Sequence, residues 1–162
     1  MSAVTTNDST GPSLPTQPGT GADALRGSPS VVIPGLSPTL STKVAELLEL
    51  EEGWDGAGAR PPTPQSLAMA VKLILRLKEF IAGFAEPFLA PTIAGSIQLE
   101  WQFEPRTLEF ETARDRWLVT GSEKDPSNGR VYHTAECSTD EIGRLARFQR
   151  WLQGVEPSWP SA

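Results

Sequence analysis

Ile97, Leu99, Trp101 and Phe103 alternate with Gln98, Glu100, Gln102 and Glu104. A period of two puts all four large apolar side chains on one face only if the backbone is extended, so this stretch must be a strand with one dry and one wet face. Leu108 and Phe110, alternating with Glu109 and Glu111, supply a partner strand across a turn at Pro105-Arg106. Trp117 to Thr120 and Arg130 to Thr134 read as a third and a fourth strand around a turn-rich stretch at 125–129, and a further short strand fits around Thr92-Ile93. Connections this short between strands imply an antiparallel meander.

Helical periodicity flanks the strands. Ser37-Pro38 is a cap followed by a first-turn proline, leading into Leu40, Val44, Leu47 and Leu48. Thr63-Pro64 opens a second helix by the same logic, with Leu67, Ala70, Val71, Ile74, Leu77 and Ile81 joined by Leu73, Phe80 and Phe84. Ser138 and Glu141 have capping-box spacing ahead of Ile142, Leu145, Ala146, Gln149 and Leu152, a last helix ended by Gly154 and Pro157. The expected fold class is α+β: two N-terminal helices, a meander of about four strands, and one C-terminal helix packed on the apolar sheet face.

Composition divides the chain. Residues 1–40 hold six Pro, five Gly, six Ser and six Thr, a mixture that buries too little to offset the entropy of ordering. The expected organisation is therefore a disordered tail at 1–36, one domain at 37–154 and a short C-terminal tail at 155–162. Val31, Val32 and Ile33 form the one concentrated apolar patch of the tail. They are read either as an arm packed back on the domain or as a docking segment that adds to a partner's sheet edge. With 14 basic and 20 acidic residues, the net charge of −6 argues against nucleic acid as the main partner. One cysteine excludes an intramolecular disulfide and a multi-cysteine zinc site. The absence of a long apolar run or a leader pattern points to a cytoplasmic protein without a membrane.

The segment Gly53-Trp54-Asp55-Gly56-Ala57-Gly58-Ala59-Arg60-Pro61-Pro62, followed by a helix and then by Gly95-Ser96-Ile97-Gln98-Leu99-Glu100-Trp101, resembles a group of small bacterial proteins. Those proteins carry a GWDGxGAxxP loop and a GxIxLEW strand, and the likeness covers roughly residues 44–112. The resemblance implies a bacterial origin and brings no activity and no catalytic residues with it.

Candidate chemistry is judged residue by residue. In the loop, Trp54, Asp55, Gly56 and Gly58 read as scaffold, the indole buried between the first two helices and the carboxylate accepting backbone N–H groups, or as a ligand cradle with Asp55 as its contact. Glu100, Glu109 and Glu111 share the wet strand face, where they are either solvated or a metal-holding set for a hydrolase or nuclease. His133 and Cys137 lie four residues apart without an orienting group, which favours a surface histidine and a small buried cysteine over a nucleophilic pair. Arg144, Arg147 and Arg150 recur every third residue beside Trp151, as a grip for an acidic partner or as partners of the domain's own glutamates. No cofactor is implied. The leading expectation is a non-enzymatic protein-binding accessory protein, an immunity- or antitoxin-like neutraliser being one form of it. A metal-dependent hydrolase or nuclease, and a structural subunit of a larger assembly, are the alternatives.

Overall fold

The computed structural model describes residues 32–127 and 129–160. The order is α1 (Pro38–Leu48), α2 (Pro64–Phe80), β1 (Phe88–Pro91), β2 (Ile97–Phe103), β3 (Arg106–Ala113), β4 (Arg116–Asp125), β5 (Gly129–Ser138) and α3 (Ile142–Leu152). The class is α+β, with one antiparallel sheet in the order β1-β2-β3-β4-β5. Five strands replace the expected four or so. The additional strand covers Phe88–Pro91, before the expected position at Thr92-Ile93, because Gly95 and Ser96 bond back to Thr92 in a turn. β4 and β5 are each 10 residues long, well beyond the runs that alternation marks. Their extensions through Gly121, Ser122 and Glu123, and through Glu136 and Cys137, are held by ladder hydrogen bonds and carry little hydrophobic pattern to read.

The register stacks the dry face into rows. Ile97, Thr112, Trp117 and Cys137 form one, Leu99, Phe110, Val119 and Ala135 the next, and Trp101, Leu108, Gly121 and His133 the third. Helices α2 and α3 cover this face, with Ile74, Leu77, Leu145 and Phe148 fully buried against it. Trp101 packs edge-on to Phe110 at 5.3 Å, and Phe110 to Phe148 at 6.3 Å. Phe80, counted with the core by spacing, is instead exposed at the end of α2.

The first two helix starts form as their sequences require. Ser37 Oγ accepts from Leu40 N–H at 3.2 Å, and Thr63 Oγ1 from Ser66 N–H at 3.0 Å, each ahead of a proline. At α3 only half of the capping box forms. The Glu141 carboxylate accepts from Ser138 N–H at 2.7 Å, but Glu141 is itself the N-cap and the helix begins one residue later.

Both ends of the packed body reach beyond 37–154. Ile33 N–H donates to Ser41 Oγ at 3.2 Å, Lys78 Nζ to the Gly35 carbonyl at 2.8 Å, and Leu36 is buried. At the other end Trp159 lies over Gly121, where a Cβ would overlap its ring and meet Trp151 at 3.0 Å. That close approach requires glycine in the middle of β4. Arg106 pins the same segment: its guanidinium donates to the Trp151 carbonyl, pairs with Glu123 at 3.2 Å and stacks on the Trp151 ring at 4.8 Å. Among the described residues no helix is long and apolar enough to cross a membrane.

Candidate functional site

The Gly53 to Pro62 loop is closed by its own backbone. Gly53 N–H donates to the Ala59 carbonyl at 2.8 Å, and Asp55 Oδ1 accepts from the N–H groups of Ala57 at 2.8 Å and Ala59 at 2.9 Å. These bonds, Ala59's first, hold the Asp55 carboxyl below its ordinary value. Gly56 and Gly58 have φ of 77° and 90°, which lets the chain turn tightly around the carboxylate. Trp54 departs from the expected burial between α1 and α2. It is half-buried, and its indole N–H donates to the Arg60 carbonyl at 3.1 Å within the same loop.

The two resemblance motifs touch. Arg60 N–H donates to the Ile93 carbonyl at 3.1 Å and Thr63 N–H to the Gly95 carbonyl at 3.2 Å, while a Cβ on Gly95 would stand 2.9 Å from the Pro61 carbonyl oxygen. The loop is thus a clasp fastening α2 to the β1–β2 turn, and every polar group of Asp55 and Trp54 described above is spent inside it.

The arginine stripe is also spent internally. Arg147 and Arg150 share the Glu156 carboxylate at 3.4 and 3.2 Å, and Arg144 reaches the Glu136 carbonyl at 3.1 Å and the Glu141 carboxylate at 3.6 Å. Trp151 is 1% exposed, so it is core and not a partner anchor. Its neighbour Trp159 packs on it at 4.9 Å and stacks on His133 at 5.1 Å. His133 therefore belongs to an aromatic cluster on the dry face, half-buried where a surface histidine was expected. Cys137 lies in β5 opposite Trp117, not in the turn before α3, and burial raises its thiol above the ordinary range, away from nucleophilic use. Of the apolar arm, Val31 lies outside the described residues, Val32 is exposed, and Ile33 packs against the core.

The wet sheet face is different. Among the described residues no helix covers it, and Glu100 of β2 stands directly opposite Glu109 of β3, with Glu111 one step along. Among the described residues none of the three pairs with a lysine or arginine. Partial burial and then the Glu100 charge raise the Glu109 carboxyl above its ordinary value. Glu111 accepts from Ser96 Oγ at 2.5 Å, and among the described residues no group of three His, Cys, Asp or Glu side chains is placed to hold a metal ion. The carboxylates thus form an acidic strip whose relief comes from neutral donors, Gln98 beside Glu109 and Ser96 at Glu111, and not from a described lysine or arginine. Beside it, Leu118 stands between Glu111 and Glu136 in the register, 38% exposed, and Tyr132 lies near the far edge, 69% exposed.

A separate cavity of about 310 Å³ lies between α2, the β3–β4 turn and the start of α3, with Lys72, Arg76 and Arg114 on its wall. Nothing in the sequence reading pointed there, since its residues come from three segments without a shared motif. No family model matches the chain, and neither a curated protein nor a solved structure matches it. The bacterial resemblance rests on the loop and strand residues alone.

Proposed function

We propose that this protein works by binding another protein, and that the open sheet face around Glu100 and Glu109 is the surface that does so. The observation carrying this reading is the Glu100–Glu109 pair. Like charges directly opposite on adjacent strands destabilise a sheet, and among the described residues no lysine or arginine pairs with either. Arg147, Arg150, Lys78 and Lys124 all have carboxylate partners, so the chain has the means to neutralise acids where it does so elsewhere. A partner presenting Lys or Arg side chains around an apolar centre would relieve the repulsion and cover Leu118 and Tyr132. The reading moves the interface from the α3 arginines to the sheet and reverses the partner's charge from acidic to basic. An immunity- or antitoxin-like neutraliser of a basic target is the form of bacterial accessory protein that suits it.

The test is comparative capture from a bacterial lysate, with the wild-type chain and a Glu100→Gln/Glu109→Gln variant as baits. The protein recovered by the first should be lost from the second while the variant melts at the same temperature or higher. Equal recovery by both baits would refute the assignment.

A further inference from the structure

The two edges of the sheet are unlike. β1 has four residues and ends in Pro91, a blunted edge, whereas β5 has 10 residues, no proline, and among the described residues no strand beyond it. Which backbone groups of β5 face outward follows from its contacts. The Glu136 carbonyl receives the Arg144 guanidinium, and the N–H and carbonyl of Ser138 both bond Glu141. Even-numbered residues therefore turn away from β4 and odd-numbered ones toward it. From Arg130 to Thr134 the outward groups have no hydrogen-bond partner among the described residues.

We propose that this edge pairs antiparallel with the same edge of a second copy, about a two-fold axis at His133, so that two five-stranded sheets become one. Side chains keep their faces only in registers that set even residues against even ones. Centring on Tyr132 sets Arg130 against Thr134, and centring on Thr134 sets Arg130 against Ser138. Centring on His133 sets Arg130 of one copy against Glu136 of the other, twice, with Tyr132 opposite Thr134 and Val131 opposite Ala135. Of the three registers only this one joins opposite charges at both ends, and it forms about eight backbone hydrogen bonds in a self-complementary contact. The Arg144 contact is compatible with it, because a carbonyl oxygen has a second lone pair. The pairing is independent of the protein-binding reading: it uses the edge and leaves the Glu100–Glu109 face open.

Sedimentation of the full chain over a range from micromolar to about millimolar tests this. The wild type should dimerise with concentration. Arg130→Glu or Glu136→Arg alone sets like charges together at both ends and should raise the dimer dissociation constant at least about tenfold. Mixing the two variants should restore association, since each then meets its opposite charge, and the double variant should dimerise by itself. Glu136 also pairs with Arg116 at 2.8 Å, so circular dichroism accompanies each sample. Thr134→Pro supplies a second route: it deletes an outward N–H without breaking a bond to β4 and should leave a folded monomer. A wild type that stays monomeric throughout, single variants that associate like the wild type, or a mixture of folded variants that stays monomeric would overturn the proposal.

Discussion

Replacing Glu109 with Gln keeps the shape of the side chain and one acceptor oxygen, and removes one charge from the Glu100–Glu109 pair. Cross-strand pairs are worth roughly 0.2–1 kcal/mol, and the half-exposed position screens part of that, so Glu109→Gln should stabilise the fold at pH 7 by about 0.5 kcal/mol. The pH dependence follows from the raised carboxyl. A group that binds its proton more tightly in the folded than in the unfolded chain lowers stability as pH climbs from the ordinary value near 4.5 through the folded value. Above that window the penalty is complete; below it the carboxyl is protonated in both states and the penalty is gone. Urea unfolding of wild type and variant between pH 4 and 7 should show two curves that converge at the acid end and separate toward neutrality, the variant higher. A variant less stable at pH 7, or a gap that does not change with pH, would mean that Glu109 is not under electrostatic stress and would remove the argument for the open face.

Other outcomes follow from the packing. Trp101→Ala should cost about 3–5 kcal/mol in chemical denaturation, as for a large core aromatic, whereas Glu100→Gln should change stability by no more than about 1 kcal/mol in the favourable direction. Gly121→Ala should cost about 1–3 kcal/mol and raise the tryptophan fluorescence accessible to a quencher, because a methyl there displaces Trp159. Arg106→Ala should cost at least about 2 kcal/mol and free residues 156–160 to proteolysis, since it unpairs Glu123 and releases the Trp151 carbonyl. Asp55→Ala should lower the melting temperature more than Asp55→Asn, and both should leave partner capture unchanged. If Asp55→Asn abolished capture in a folded protein, the loop would be a site and not a clasp.

The legible part of this fold is the part where one side-chain property repeats with a backbone period. Ile97 to Trp101 and Leu108 to Phe110 repeat at two, the helices repeat near 3.6, and the two Ser/Thr-Pro starts are local chemistry, so these strands and helix starts are where the sequence places them, whereas Phe103 and Phe80, at the ends of their elements, are exposed and α3 starts only at Ile142. β1 is not legible because Phe88–Pro91 is too short to show a period, and only part of β5 is, because its dry face is His133, Ala135 and Cys137, which do not read as a hydrophobic row. The site suffered from a different blindness. Arginines every third residue describe one helix face, but Glu156, which neutralises two of them, comes from beyond the end of the helix, and Trp159 returns over Gly121 by a close approach that only coordinates show.

The contrast between the loop and the face bears on where function lies. The loop carries the more specific motif, yet its carboxylate accepts from the loop's own Ala57 and Ala59 N–H groups, its indole N–H donates to the loop's Arg60 carbonyl, and its backbone bonds to Ile93 and Gly95 join the two motif segments. The Asp55 Oδ1 and the Trp54 N–H are thus committed to holding the loop closed. Glu100 stands in the Gly95 to Trp101 segment and Glu109 in β3, and period-two alternation by itself asks only for a polar side chain such as Gln, Thr or Lys at either position. Placing two carboxylates across from each other, with no cation among the described residues bonded to either, lowers stability without improving packing. Natural sequences accept such local conflicts mainly where a partner resolves them. The proposed protein-binding face rests on this pair, which is filled against its own electrostatics.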